Sequence, residues 1–442
     1  MIRSLFIILS LVSFVFSQEV TIPKFNWPDS VYRVSQIYYI GNEVTQVHII
    51  EEEMTLKQGD LITHEAVQFD INRIYSLRLF TKVDIQVIPD SSETATLSVI
   101  VSERWYFYPF PVLGLKDRDF SKIYYGLGLA HNNVAGNNVQ MYGAFGLGYD
   151  PFVSFNYVNP RIDAEHKLFF SFRSYYTEQR NRSLISLAGA PNFNENRSGI
   201  EMSLGKRYSL FTTVSMKLEY LNLSVSNNVI GRTLSSNGRD EFYSLHMSYY
   251  YDTRDLKEYA SYGTLIGIGL SKFGLFEQEV NYQRIGIDIR RYIPAWSDIV
   301  FAGRIFGNLA GGGRIPNYGH TFFGYSERIR GYFDTVLEGE QIAGASFEAH
   351  FPVISPRYVA LDFIPLEQFK DVRYAMNIAL FADAGRTWYR NEPSPLRSVY
   401  SGYGAGVHLL LAYSFVGRIE FAVPYGKPFS QGEIILDLGA AL

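Results

Sequence analysis

Most of the chain alternates apolar and polar residues in short runs that are separated by turn residues. In one such run, Val214, Met216 and Leu218 share one face. Lys217 and Glu219 share the opposite face. Alternation with a period of two predicts β-strands that have one apolar and one polar side. The predicted strands are sixteen in number and lie near residues 107–115, 122–130, 138–148, 150–157, 167–177, 198–208, 212–225, 242–252, 264–271, 280–291, 299–308, 342–350, 374–383, 402–411, 414–422 and 432–440.

Charged residues on the polar faces distinguish between two kinds of β-protein. Ile285, Ile287 and Ile289 form the apolar face of the tenth predicted strand. Arg284 and Asp288 lie on its polar face. Charges in the dry core of a soluble β-sandwich would cost considerable free energy, whereas the wet lumen of a wide barrel accommodates them. The pattern therefore favours a transmembrane barrel over a sandwich.

The connections between the predicted strands alternate in length. The join at 208–211 is short, and long joins follow odd-numbered strands at 178–197, 226–241, 309–341 and 386–401. Outer-membrane barrels have short periplasmic turns and long outer loops. The join at 351–373 breaks the alternation, and we expect it to carry a small additional element. Together these features predict a mostly β fold, a sixteen-stranded antiparallel transmembrane β-barrel over residues 105–442.

A different pattern precedes the barrel, at residues 31–104. Residues 34–40 alternate like a strand, residues 44–54 have the pattern of a helix, and Thr63 is suited to cap a second helix. Two alternating runs follow. The predicted order is strand, helix, helix, strand, strand, which is enough for one small α/β domain with its own core.

Residues 1–17 have the features of a secretory signal peptide, with a positive charge at Arg3, an apolar core and Ser17 before the expected cleavage site. Residues 18–30 form an extended leader with two prolines. Beyond them, no run of about 18 apolar residues occurs. We therefore expect the chain to be exported without helical membrane spans.

The amino-acid composition limits the kinds of binding site and partner that the protein can have. The 442-residue chain has no cysteine and a net charge of −4. These values exclude disulfides and thiolate metal sites and give no indication of a nucleic-acid partner. The eight histidines are scattered without the spacing of a zinc site. Because no catalytic motif is recognisable either, we predict no enzymatic activity, no cofactor and no bound metal.

The stretch with the most specific chemistry is Ile329-Arg330-Gly331-Tyr332, in a glycine-rich segment between the eleventh and twelfth predicted strands. Glu348 and Asp383 follow on the polar faces of the twelfth and thirteenth strands. A planar guanidinium holds two carboxylates better than an ammonium does. We predict that the loop folds into the lumen and that both acids bind Arg330. This contact either only fixes the loop during folding or also positions it to control passage.

Further motifs carry a resemblance to a known family. They are Gly41, Asn42, Gly59 and Phe80 in the N-terminal domain, Asp252, Arg254 and Asp255 in the turn before the ninth strand, and Phe381 and Gly385 beside Asp383. In this order and spacing, and together with the Arg330 motif, they resemble the bacterial surface antigen superfamily. Its members place polypeptide-transport-associated (POTRA) domains before a sixteen-stranded barrel, and they include outer-membrane barrel-assembly proteins and two-partner secretion translocators.

The resemblance implies one periplasmic POTRA domain at 31–104 and a barrel in the bacterial outer membrane. It implies that the protein inserts or translocates polypeptides, with the POTRA domain capturing the substrate and the Arg330 loop controlling passage. The implied partners are unfolded or secreted polypeptides, outer-membrane lipids and accessory periplasmic chaperones or lipoproteins. It implies no nucleic acid, nucleotide or metal.

Two features depart from the family pattern. The sequence has one POTRA-like domain where a general assembly factor has several, and its last residues, Gly439-Ala440-Ala441-Leu442, lack a terminal aromatic. The alternatives are a dedicated exporter of one secreted partner, and a passive pore or structural barrel that retains the fold. Small residues near the junction of the first and last strands, including Gly432, are compatible with a weak junction, but such residues are also common at turns.

Overall fold

The computed structural model describes residues 32–115, 122–180, 182–189, 193–226, 228, 231–276, 279–295, 298–360, 372–392, 398–411 and 415–439. The predicted signal peptide and leader lie outside these residues. Within the described residues, no helix has the length and apolar character needed to cross a membrane.

The N-terminal domain follows the predicted order. Its elements are β1 (Arg33–Ile40), α1 (Val47–Glu51), α2 (His64–Tyr75), β2 (Phe80–Pro89) and β3 (Thr94–Glu103). The helix α1 is shorter than predicted, and α2 begins where expected because the Thr63 side chain accepts a hydrogen bond from the Ala66 amide at 3.2 Å. In the sheet, β3 lies between β1, to which it is parallel, and β2, to which it is antiparallel.

Sixteen further strands form one antiparallel sheet in chain order. They are β4 (Phe107–Leu115), β5 (Ile123–Val134), β6 (Val139–Gly148), β7 (Phe152–Asp163), β8 (Leu168–Arg180), β9 (Asn194–Arg207), β10 (Thr212–Val225), β11 (Arg239–Asp252), β12 (Gly263–Phe273), β13 (Tyr282–Pro294), β14 (Val300–Gly312), β17 (Gln341–Val359), β18 (Val372–Trp388), β19 (Tyr400–Leu411), β20 (Phe415–Pro424) and β21 (Glu433–Leu438). A short helix, α3 (Leu184–Gly189), lies between β8 and β9. The predicted strand number and order are confirmed.

The prediction of a connecting segment at 351–373 is largely wrong. Residues 351–359 continue β17, and β18 already begins at Val372. Both strands are therefore longer than the predicted ones, and their ladder continues through two register shifts. The part of the expected element at 361–371 lies outside the described residues.

The side chains are distributed as a membrane barrel requires. Ile285, Ile287 and Ile289 on the outer face of β13 are 42–45% exposed. On the inner face of the same strand, Arg290 donates to Asp288 through Nε and Nη2 at 3.0 and 2.8 Å. Apolar residues outside and paired charges inside are the reverse of a soluble protein.

The sheet is open between its first and last strands. Among the described residues, β4 pairs only with β5, and β21 pairs only with β20. Within this described part of the chain, the expected pairing of the first and last strands is therefore not formed. Two prolines, Pro109 and Pro111, occupy alternate positions of β4 and supply no N–H donor. We call the gap between β4 and β21 the seam.

Candidate functional site: the sixth loop and its lumen anchor

The sixth loop connects β14 to β17 and lies inside the curved sheet. It contains a 3-10 turn (Asn317–Gly319) and a two-stranded hairpin formed by β15 (Thr321–Phe323) and β16 (Leu337–Gly339). Ile329 is 2% exposed and packs with Phe306, Phe323 and Ile342. Because two of these four residues come from the barrel wall, the loop shares an apolar core with the barrel.

Arg330 is the centre of the anchor. Its Nε and Nη2 donate to the two carboxylate oxygens of Asp383 at 2.6 and 2.7 Å, and its amide donates to Asp383 at 3.1 Å. Its Nη1 donates to Glu348 at 2.5 Å and to Glu420 at 2.9 Å. The structure thus brings together the three residues that the sequence pointed to and adds Glu420.

Arg330 and its three acidic partners are almost completely buried. The Arg330 side chain is 6% exposed, and those of its three acidic partners are 0–4% exposed. Because a single guanidinium faces three buried carboxylates, displacing Arg330 would leave all three acids without their shared cation, which is costly in a buried site. The site therefore resists partial disassembly, and the loop is fixed to strands β17, β18 and β20 at once.

The other motif residues shape the space around Arg330. The guanidinium lies 3.7 Å from the ring centroid of Phe381, and Gly385 lies against Phe323 and Ile329. Gly331 has a φ of +97°, and a Cβ there would approach the backbone of Val423 at 3.0 Å. Tyr332 contacts Tyr400 edge-to-face, with 5.1 Å between the ring centroids.

Glu433, the first residue of β21, was not among the predicted site residues. Its Oε1 accepts hydrogen bonds from the amides of Gly331 at 2.9 Å and Phe333 at 2.8 Å. Phe333 also packs with Ile435 of the same strand. The sixth loop is therefore attached to the strand that forms one side of the seam.

A second ionic contact holds the stem of the loop. Arg304 of β14 donates to both carboxylate oxygens of Glu327 at 2.9 and 3.0 Å and also contacts Asp288. Farther along, Glu338 accepts from Ser183 at 2.5 Å and from the amide of Leu184 at 2.7 Å, which attaches the loop to α3. A cavity of about 660 Å³, lined by both polar and apolar residues, remains between the loop and the wall.

Two histidines complete the anchor and were missed by the sequence analysis. Nε2 of His350 lies 2.6 Å from Glu348, and Nε2 of His408 lies 3.1 Å from Glu420. Glu348, His350 and His408 are buried, and one potential ligand atom from each lies within 4.8 Å of the others, so this set could hold a metal ion. However, both nitrogens of His408 already have hydrogen-bond partners, Glu420 and Tyr259. Nδ1 of His350, by contrast, is buried without a hydrogen-bond partner among the described residues, so one imidazole nitrogen of the set is left unsatisfied.

The predicted turn motif lies between β11 and β12 and contacts the N-terminal domain. Arg254 donates to both oxygens of Asp252 at 2.9 Å, as expected for a turn held by hydrogen bonds. Asp255 accepts from the Ser261 amide at 2.9 Å and from Asn72 of α2 at 3.3 Å. This turn therefore joins the barrel to the preceding domain.

The remaining predicted residues build the N-terminal domain and its contact with the turn. Gly41 and Asn42 follow β1, and the Asn42 side chain donates to the Thr45 carbonyl at 3.0 Å. The Gly59 amide donates to the Val34 carbonyl at 2.8 Å, and Phe80 is 1% exposed in the core. Leu256 from the turn is buried in the same core.

An ion pair strengthens the domain contact. Glu53 is bound by Arg73 at 2.6 Å and by Arg207 of β9 at 2.8 Å. Burial alone would raise the pKa of Glu53, but the two guanidinium groups hold this pKa below its ordinary value. The carboxylate is therefore charged at neutral pH and links the two parts of the molecule.

Comparison with known proteins agrees with these elements. A family model described as the Omp85 superfamily domain matches residues 133–433. A POTRA model, described as the surface antigen variable number repeat, matches residues 32–104.

Solved structures share the fold. BamA from Haemophilus ducreyi lacking POTRA domains 1–3 is 16% identical, with a TM-score of 0.53, and the match covers 92% of this chain and 83% of that one. CdiB from Escherichia coli is 10% identical, with a TM-score of 0.51, and the match covers 96% of this chain and 92% of that one. At these identities the likeness establishes the fold alone.

Proposed function

Because this chain belongs to the Omp85 superfamily, whose POTRA-bearing barrels are outer-membrane proteins, we propose that it inserts or translocates polypeptides at that membrane. The POTRA domain lies on the periplasmic side and captures the substrate. The sixth loop then controls passage along the lumen or through the seam. No nucleotide, metal or chemical step is required in this proposal.

One observation carries the proposal most directly, namely the attachment of the sixth loop beside the seam. Arg330 binds acids on three strands, and Glu433 of β21 binds the next turn of the same loop. Displacing the loop would therefore release side-chain contacts to the last strand, whose outer edge has no partner among the described residues. An unpaired strand edge is a template for an incoming strand.

The capture step is supported by the edge of the POTRA sheet. Strand β1 is an edge strand, and only its first residues contact the segment at 59–62. Farther along, Tyr38 and Ile40 are 55% and 50% exposed. An extended substrate can add to such an edge through backbone hydrogen bonds with little dependence on its sequence. We assign substrate capture to residues 36–40 of this strand.

Depletion of the protein tests the function. The outer membrane and the culture medium are analysed by quantitative mass spectrometry, in depleted cells complemented with the natural protein, Arg330→Ala or Arg314→Ala. Arg314 is an exposed arginine of the same loop that provides a matched control. Broad loss of unrelated barrels identifies a general insertase, whereas loss of one or a few secreted proteins identifies a dedicated exporter. No change in either fraction would contradict the proposal.

Single-channel recording separates this function from a passive pore. The sixth loop is bound inside the lumen to three strands of the wall, so we expect a small or intermittent current for the natural protein. A large and steady current, unchanged by Arg330→Ala, would identify a passive channel. Deletion of residues 24–104 is expected to abolish substrate handling while the barrel still folds.

A further inference from the structure

Tyr259 connects two regions that the sequence presents as separate. It lies in the turn between β11 and β12 and packs against the POTRA core. Its ring also stacks on His350, with 4.7 Å between the centroids, and its hydroxyl lies 3.0 Å from Nδ1 of His408. One side chain thus touches both the POTRA domain and the histidines in the lumen.

His350 and His408 each contact a carboxylate that binds Arg330. His350 contacts Glu348, and His408 contacts Glu420 through the same oxygen, Oε1, that accepts from Arg330. Two short paths therefore run from Tyr259 to the guanidinium, each through one imidazole and one carboxylate. All four intervening side chains are at most 5% exposed, so solvent does not screen these contacts.

The POTRA domain in turn fixes the turn that carries Tyr259. Leu256 is buried in the POTRA core. The neighbouring residues bind α2 and the segment after it, with Asn72 donating to Asp255 at 3.3 Å and Arg78 donating to Glu258 at 2.8 Å. A shift of the POTRA domain would pull on this turn from several points at once.

We infer that Tyr259 is a positioning residue that couples the docking of the POTRA domain to the anchor of the sixth loop. When the domain is docked, Tyr259 holds His350 and His408 against the two acids, and the acids hold Arg330. When a substrate displaces the domain, Tyr259 withdraws and the anchor weakens. This inference rests on the proposed role of the sixth loop, but its test uses no substrate, so the coupling and the transport function can fail independently.

Hydrogen exchange of the intact protein in detergent micelles tests the coupling. The amides of Arg330, Gly331 and Phe333 are bound to Asp383 and Glu433, so a peptide covering residues 327–336 reports whether the anchor is closed. Tyr259→Ala and Tyr259→Leu are expected to accelerate exchange of this peptide about fivefold or more, the lower end of typical coupling between sites. Tyr259→Phe keeps the ring contacts and is expected to retain most of the protection.

A double substitution tests the connection to the POTRA domain. Asn72→Ala combined with Arg78→Ala removes two contacts to the turn and is expected to accelerate exchange of the loop peptide. In the Tyr259→Ala background, the same pair is expected to add nothing, because the connection is already broken. Full additivity of the two effects would overturn the inference.

Tyr175 provides the matched control. It is a lumen tyrosine on β8 whose hydroxyl donates to Glu219 at 3.3 Å, outside the Arg330 network. Tyr175→Ala is expected to leave exchange of the loop peptide unchanged. Equal acceleration by Tyr175→Ala would mean that the barrel loosens generally, and exchange within twofold of the natural protein in both Tyr259→Ala and Tyr259→Leu would also reject the coupling.

Discussion

The carbonyl oxygen of Arg330 faces Gly402 so closely that a Cβ atom on Gly402 would lie 1.9 Å from it. The backbone of the sixth loop is therefore seated against β19 by shape, in addition to the ionic contacts of the Arg330 side chain. Such a distance is far below van der Waals contact, so any other residue at this position must move the loop or the strand.

Gly402→Ala is expected to displace the sixth loop although every ionic partner of Arg330 is retained. The added methyl group cannot share the space of the Arg330 carbonyl, so the loop peptide should exchange faster and the transported proteins should decrease. Gly269→Ala is the control, since nothing lies within 4 Å of a Cβ at that strand glycine. Unchanged exchange in Gly402→Ala would show that the wall adapts instead of the loop.

Arg330→Ala is expected to lower the free energy of unfolding by about 3–5 kcal/mol, the usual cost of removing one partner from a buried ionic set. The loss leaves Asp383, Glu348 and Glu420 close together without their shared cation. Arg330→Lys is expected to retain only part of the free energy of unfolding that Arg330→Ala loses, because an ammonium cannot bind both carboxylate oxygens of Asp383 at once. Urea unfolding in micelles measures these free energies of unfolding. The Arg314→Ala variant should unfold with nearly the same free energy as the natural protein.

Glu433→Ala is expected to separate the sixth loop from the last strand. Two loop amides, those of Gly331 and Phe333, would lose their acceptor, at a cost of about 1–3 kcal/mol for each amide left buried. Glu433→Gln keeps an acceptor oxygen in place and is expected to have a smaller effect. Hydrogen exchange of peptides from the loop and from β21 should rise together in the alanine variant; a rise in only one of them would argue against the attachment.

The contact between the POTRA domain and the barrel is expected to weaken in acid. The depressed pKa of Glu53 means that its stabilising contribution is present at neutral pH and is lost as the pH falls below the ordinary glutamate range through the folded-state pKa. Glu53→Gln should lower the first thermal transition at neutral pH and flatten its dependence on acid. Glu93→Gln, in an exposed hairpin turn, should preserve the natural pH dependence.

Tyr38→Lys is expected to reduce substrate capture without disturbing the fold. A lysine on an exposed strand edge discourages pairing with another strand, and Tyr38 contributes little to the core at 55% exposure. Crosslinking of unfolded polypeptides to the POTRA domain measures the loss. Gln86→Lys on β2, the opposite edge, is the comparison, and an equal loss there would remove the assignment to β1.

The alternation of apolar and polar residues was sufficient to predict the strands and some of the residues that bind Arg330. The side chains of a strand alternate between its two faces whatever the strand packs against, so the apolar and polar positions near Ile287 and Asp288 identified a barrel strand directly. Arg330, Asp383 and Glu348 followed because opposite charges stood on faces expected to point into the lumen. The family resemblance supplied the rest of that assignment.

Glu420 shows where the pattern stopped being informative. Glu420 lies on the face of its strand opposite Ile419 and Phe421, so the alternation places a charge in the lumen but does not identify its partner. Which charges meet across a lumen depends on the curvature of the whole sheet and on the path of the loop within it. Neither the curvature of the sheet nor the path of the loop can be read from a single run of residues.

The sequence by itself determined the number and order of the sixteen strands, the α/β domain before them and the position of the sixth loop, because these depend on periodicities within a few residues. Only the tertiary structure decided that Glu433 attaches the loop to β21, that β4 and β21 do not pair within the described residues and that Tyr259 reaches His350 and His408. Tyr259 and His408 are 149 positions apart in the chain. Contacts of that kind arise from how the sheet and its turns enclose space, so they become visible only when the whole chain is folded.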